Sequence, residues 1–179
     1  LQFTLSEIKL AIRSTRGGTT PGKDGVPVEV IKKDEERLAP ILCTLFNEWV
    51  QNGEVPDKLA DSLTILLYKK GDVRDITNYR PISLLSSLYK LFTKVMANRM
   101  SSVLDEAQTA DQAGFRRKFC TTDHIFTVNH VIQNCKEYNI PLYMMFIDYR
   151  KAFDSIEYNA VWKSLQDQGV HWQLIRILM

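Results

Sequence analysis

The chain has 179 residues, is 45% hydrophobic and 25% charged, and carries a formal net charge of +2 from 23 basic and 21 acidic side chains. That composition is ordinary for a soluble globular chain, and so small a charge excludes wholesale attraction to nucleic acid, so any such binding must come from local clusters. No apolar run reaches the ~20 residues of a membrane span, no signal peptide is visible, and Cys43, Cys120 and Cys135 are odd in number without C-x-x-C spacing, which reads as a reduced intracellular setting.

Thr4 and Glu7 make a capping box ahead of Leu5, Ile8 and Ile12, so a helix is predicted over residues 5–15. Residues 17–25 read as a loop with Pro-Gly and Asp-Gly turn pairs, and Pro27 suits a helix start. Leu38, Ile41, Leu42, Leu45, Phe46 and Trp49 form an amphipathic stripe that Gly53 ends and Pro56 keeps from resuming. Leu63 to Tyr68 reads as a strand and Arg80-Pro81 as extended chain, giving a hairpin over about residues 63–84. Ser86 or Ser87 caps the next helix, which continues through Leu88, Leu91, Phe92, Val95, Met96, Arg99, Val103 and Leu104. After a loop over 111–120, Thr121 or Thr122 is expected to cap a helix with Ile125, Val128, Ile132 and Cys135 inward. Residues 141–148 are predicted to be a buried strand, and Asn159 to cap a short helix that Gly169 closes. The class is α+β: mainly helices, an early hairpin, then a lone strand that needs partners.

Four stretches carry chemistry. Leu142 to Ser155, LYMMFIDYRKAFDS, ends an apolar run in Asp148, and a carboxylate so placed is costly unless it meets a proton, a partner or a metal. The plain alternative is a cap on the next helix; Asp154 is expected to be structural, paired with Lys151 or Arg150. Thr20 to Pro27, TPGKDGVP, is either a surface loop or a place where glycines and Lys23 let a backbone approach phosphate. Ile65 to Asp72, ILLYKKGD, followed by Asn78 to Leu84, NYRPISL, is either a hairpin with solvated lysines or a clamp in which cations on adjoining strands hold a triphosphate. Asp111 to Lys118, DQAGFRRK, is either a basic loop before a capped helix or an aromatic surface with cations for a nucleic-acid backbone. His124, His130 and His171 have no ligand spacing with the cysteines.

Together these four stretches, in this order from Pro21 to Gln168, resemble the reverse transcriptases of LINE-type (non-LTR) retrotransposons, with wording similar to the RTE-like and related clades. One departure is Lys118-Phe119-Cys120, where the family commonly has a small glycine turn before the threonines. The resemblance implies helical fingers with a β-hairpin over 1–140 and the beginning of a palm over 141–179, the rest of the palm and the thumb lying outside the sequence. It implies an RNA-directed DNA polymerase, a nucleotidyltransferase, working on an RNA template, a DNA primer and dNTPs, with no membrane, inside the cell in cytoplasm and nucleus. Asp148 would be the catalytic carboxylate and bind Mg²⁺, of which the complete enzyme holds two ions. Lys69 and Arg80 would grip the nucleotide phosphates, with Lys70 a substitute for Lys69. Tyr149, Arg150 and Phe153 would line the nucleotide, Phe153 crowding a ribose 2′-OH. Gly22, Lys23, Gln112, Gly114, Phe115 and Arg116 would lie along the template. With no Asp-Asp pair anywhere, the chain reads as a truncated fragment, inactive alone and poorly soluble; the alternative is a degenerate, non-enzymatic nucleic-acid-binding remnant.

Overall fold

A computed structural model describes residues 1–109, 111–116, 119–149 and 152–179. The fold is a helical body from which a two-stranded hairpin projects. Helix α1 (Leu5–Ser14) opens on the expected capping box: the Thr4 hydroxyl accepts the Glu7 N–H, and the Glu7 carboxylate accepts the Thr4 N–H at 2.8 Å. Its inner face buries Ile8, Ala11 and Ile12. Helix α2 (Val28–Lys33) follows Pro27, and α3 (Glu35–Asn52) runs to Gly53, whose φ of 76° gives the left-handed stop. The inner face of α3 is Ala39, Leu42, Phe46, Trp49 and Val50. Ile41, placed in the stripe from sequence, is 62% exposed. One residue rotates a helix by about 100°, so the row centred on Leu42 and Phe46 turns Ile41 toward the flank.

A short α4 (Asp57–Ala60) leads into β1 (Leu63–Tyr68), which pairs antiparallel with β2 (Tyr79–Leu84). Helix α5 (Ser87–Ala107) starts where the Ser86 hydroxyl accepts the Tyr89 N–H at 3.0 Å. It buries Leu91, Phe92, Val95 and Met96 against α1 and α3. Phe92 lies at the centre, edge-on to Phe46 and Trp49 at 5.1 Å each and to Phe3 at 6.4 Å. Arg99 ties α5 to α1: its Nε donates to Glu7 at 2.6 Å, its Nη2 also reaches the Glu7 carboxylate, and its guanidinium lies over the Phe3 ring.

Burial by itself raises the Glu7 pKa, but the Arg99 hydrogen bond and the Thr4 donors outweigh it and hold the carboxyl below its ordinary value. A carboxylate depressed in the folded state contributes stability above its unfolded pKa, about 4.3, and that contribution is lost as pH falls through the lower folded value. Glu7→Gln should therefore weaken the fold at pH 7 and flatten its acid limb. Urea denaturation of both proteins at pH 7 and pH 3 checks this; equal pH dependence would contradict it.

Helix α6 (Thr121–Glu137) corrects two expectations. Its N-cap is Cys120, not Thr121 or Thr122, because the Asp123 carboxylate turns back to accept the Cys120 N–H at 2.9 Å. Its predicted inner face is not buried: Ile125 is exposed, and Val128, Ile132 and Cys135 are only half-covered. The predicted buried strand over 141–148 is likewise absent. Residues 141–149 are irregular and exposed, with Met145 at 85% and Phe146 at 80%. The reason is pairing: β1 and β2 bond to each other, and no further described strand satisfies the backbone of 141–149.

Helix α7 (Tyr158–Asp167) is preceded by Glu157 as its cap, with the expected cap Asn159 already inside the first turn. Glu157 is the last extended residue, at φ −78° and ψ 123°, so the helix has begun before Asn159 is reached. Gly169, at φ 84°, closes the turn as expected. Helix α8 (Trp172–Leu178) packs Leu174 and Ile175 onto α3, while Trp172 is 61% exposed. No helix among the described residues is long and apolar enough to cross a membrane.

Candidate nucleotide and nucleic-acid interface

The hairpin register decides which lysine shares a face with Arg80. Leu67 stands opposite Arg80, and the Lys69 N–H continues the ladder by donating to the Asn78 carbonyl at 2.8 Å. Side chains two apart on a strand share a face, as do directly opposed residues. Lys69 and Arg80 are therefore diagonal neighbours on one face, ahead of the apolar pairs Leu63–Leu84 and Ile65–Ile82. Tyr68 and Tyr79 pair on the other face with ring centroids 5.5 Å apart. Lys70 lies past the last ladder bond.

The loop between the strands is braced. The Tyr68 hydroxyl donates to the Gly71 carbonyl at 2.6 Å, the Tyr79 hydroxyl to Val73 at 2.9 Å, and the Asn78 amide to Asp72 at 3.0 Å. Asp75 accepts from the Thr77 hydroxyl and N–H, which together lower its pKa. Both cations thus sit at the root of a stiffened turn rather than on a loose loop.

The first glycine loop has a structural job that its sequence did not disclose. A Cβ on Gly22 would lie 2.4 Å from the Leu85 carbonyl carbon and 2.5 Å from the Ser86 nitrogen. The loop is strapped to the start of α5 by the Ser87 hydroxyl on the Val26 carbonyl at 2.6 Å and Lys90 on the Thr20 carbonyl at 3.1 Å. Lys23 pairs with Asp61 at 3.2 Å; both side chains are exposed, so the bond is weak. Lys58, which the sequence did not single out, joins Lys23, Asp24 and Asp61 around a cleft of about 320 Å³.

In the 111–116 turn the Gln112 amide donates to the Gly114 carbonyl at 3.3 Å. Arg116 donates to the carbonyls of Thr109, Gln112 and Asp105 at 2.8, 3.4 and 3.1 Å and lies over the Phe119 ring. Its guanidinium anchors the turn to the end of α5. Phe115, at φ 60° and 99% exposed, projects from that turn and meets Phe153 edge-on at 5.9 Å. Phe153 sits on a 3-10 turn (Ala152–Ser155), and Tyr149 and Asp148 are exposed in the irregular segment before it. Arg150, together with Lys151, lies outside the described residues.

The expected sites are brought together only in part. Phe115 and Phe153 meet, and Lys69 and Arg80 share a face. Asp148 is not joined by a ligand cluster: among the described residues no group of three or more His, Cys, Asp or Glu could hold a metal ion. A pair of divalent ions needs several carboxylates, so the residues described do not fit such a centre.

Residues 67–178 match the family described as reverse transcriptase (RNA-dependent DNA polymerase). The chain is 31% identical over 164 residues to the transposon TX1 uncharacterized 149 kDa protein of Xenopus laevis, covering 92% of this chain and 12% of that protein. It is 29% identical to a Pol polyprotein of the type-1 retrotransposable element R2 of Popillia japonica, covering 92% of this chain and 22% of that one. It is 28% identical to the RNA-directed DNA polymerase of the mobile element jockey of Drosophila melanogaster, covering 86% of this chain and 17% of that enzyme. The chain therefore spans less than a quarter of each of these relatives.

Proposed function

This chain belongs to the reverse transcriptase (RNA-dependent DNA polymerase) family, and from that membership we propose that it forms the nucleotide-gripping fingers of an RNA-directed DNA polymerase of a non-LTR retrotransposon. The observation that carries the reading is the hairpin register, which sets Lys69 and Arg80 on one face at the root of a braced turn. Arg80 would hold dNTP phosphate oxygens bidentately and Lys69 as a point charge. Tyr149, Arg150 and Phe153 would line the nucleotide, and Phe153 would crowd a ribose 2′-OH. Gly22, Lys23, Gln112, Gly114 and Phe115 would follow the RNA template and DNA primer, with Lys58 a further cation beside Lys23. Arg116 would serve that path by holding its turn, since its donors already meet carbonyls.

The family is generally metal-dependent, and Asp148 is the residue that would hold Mg²⁺. Beside it, the described residues would bind and orient the nucleotide.

Titration of the purified chain with dGTP tests the reading. Hydrogen bonds to charged groups contribute about 1.5–3 kcal/mol, so Lys69→Ala and Arg80→Ala should each weaken binding by about tenfold or more. Lys70→Ala should change it little. Equal losses from Lys69→Ala and Lys70→Ala, or no loss from Arg80→Ala, would contradict the assignment.

A further inference from the structure

We infer that Phe115 is a positioning residue for Phe153: its ring fixes the attitude of the Phe153 ring and so sets how strongly that ring opposes a ribose. The inference rests on the proposed reading of Phe153 and adds a residue to it. Three observations carry it. First, Phe115 holds a φ of 60°, a conformation that a bulky side chain adopts only where its surroundings over-determine it. The surroundings are visible: Arg116 clamps the turn to three carbonyls, and Gln112 closes it onto Gly114. Second, this conformation is not maintained by burial of the ring, which is 99% exposed. Third, the Phe115 ring meets Phe153 at 5.9 Å between centroids and 81° between planes, the edge-to-face geometry that aromatic pairs favour.

Phe153 needs such a neighbour. It stands on a 3-10 turn of four residues and is 76% exposed, so core packing does not choose its rotamer. The Phe115 edge supplies that choice. Because the turn bearing Phe115 is anchored to the end of α5, the sugar-facing ring becomes mechanically linked to the surface proposed for the template. A turn displaced by a mispositioned strand would release Phe153 and relax its discrimination.

The test uses the full chain carrying 4-fluorophenylalanine at position 153, followed by ¹⁹F NMR during titration with dGTP and with GTP. An edge-to-face pair stabilises by an amount equivalent to about three- to tenfold in an equilibrium constant. Phe115→Leu is therefore expected to move the ¹⁹F resonance and to reduce the dGTP preference by about that factor. Phe115→Tyr, which keeps the ring, should restore both, and the melting temperature of Phe115→Leu should stay near the parent's because the ring is exposed. A Phe115→Leu chain with unchanged resonance and unchanged preference would overturn the inference while leaving the triphosphate site standing. A loss that Phe115→Tyr fails to restore would place the effect in the turn and overturn it too. A parent chain whose resonance responds to neither nucleotide would overturn the proposed function and this inference together.

Discussion

Replacing Phe92 with alanine is expected to remove about 3–5 kcal/mol of folding stability, the usual cost of deleting a buried aromatic ring. Phe92 is 2% exposed and stands where α1, α3 and α5 meet, edge-on to Phe3, Phe46 and Trp49. Deleting its ring removes three aromatic contacts and opens a cavity that Phe46 and Trp49 cannot fill without shifting α3. Domains of this kind have about 5–15 kcal/mol in total, so the variant should sit close to its unfolding threshold. Urea denaturation reads the loss directly as a fall in midpoint. A variant within about 1 kcal/mol of the parent would mean that this cluster is not the centre of the core.

Gly22→Ala is expected to be the most damaging small change outside the core. The added Cβ would meet the backbone of Leu85 and Ser86 at 2.4–2.6 Å, and backbone cannot swing aside as a side chain can. Relief requires the 20–26 loop to lift from the start of α5, breaking the Ser87–Val26 and Lys90–Thr20 hydrogen bonds. Overpacking of this sort costs about 1–3 kcal/mol, and lost straps add to it. Gly25→Ala is the control. Its φ of 65° strains any side chain but the space beside it is open, so it should cost about 1–2 kcal/mol by conformation alone. The variants should also part in function. Arg80 lies on the strand that runs into the Leu85 junction, so Gly22→Ala should weaken dGTP binding and Gly25→Ala should not. Equal melting and equal binding for the two would contradict this account of the loop.

What could be read from the sequence followed local rules. The capping box at Thr4, the left-handed stop at Gly53, the strand over 63–68 and the Ser86 cap all depend on residues within a few positions of one another, and each is found where spacing put it. What could not be read depended on contacts distant in the chain. The need for glycine at position 22 comes from backbone more than sixty residues away. The occupation of Arg116 by carbonyls of 105, 109 and 112 depends on how α5 ends. The strand expected over 141–148 has the apolar composition of a strand, yet pairing is a property of neighbours and not of composition. At Cys120 a local rule does hold, though not for a usual capping residue: the acid at Asp123 selects the residue three before it as the cap, ahead of the two threonines that favour that role by residue type.

The candidate site divides in the same way. The shared face of the hairpin cations was legible because a strand alternates its faces, and the register puts Lys69 on the face of Arg80 while Lys70 lies past the last ladder bond. The meeting of Phe115 with Phe153 was not legible, because it joins two loops whose placement no periodicity describes.

The central claim, that the hairpin grips a triphosphate, is tested most directly by mapping where a nucleotide binds. Uniformly ¹⁵N-labelled chain titrated with dATP and, separately, with deoxyadenosine should give shifts at the Arg80 side-chain Nε and at the amides of Lys69 and Asn78–Arg80 for dATP alone. Shifts that are the same for both compounds, or that fall on the opposite hairpin face around Tyr68 and leave Arg80 unmoved, would contradict it.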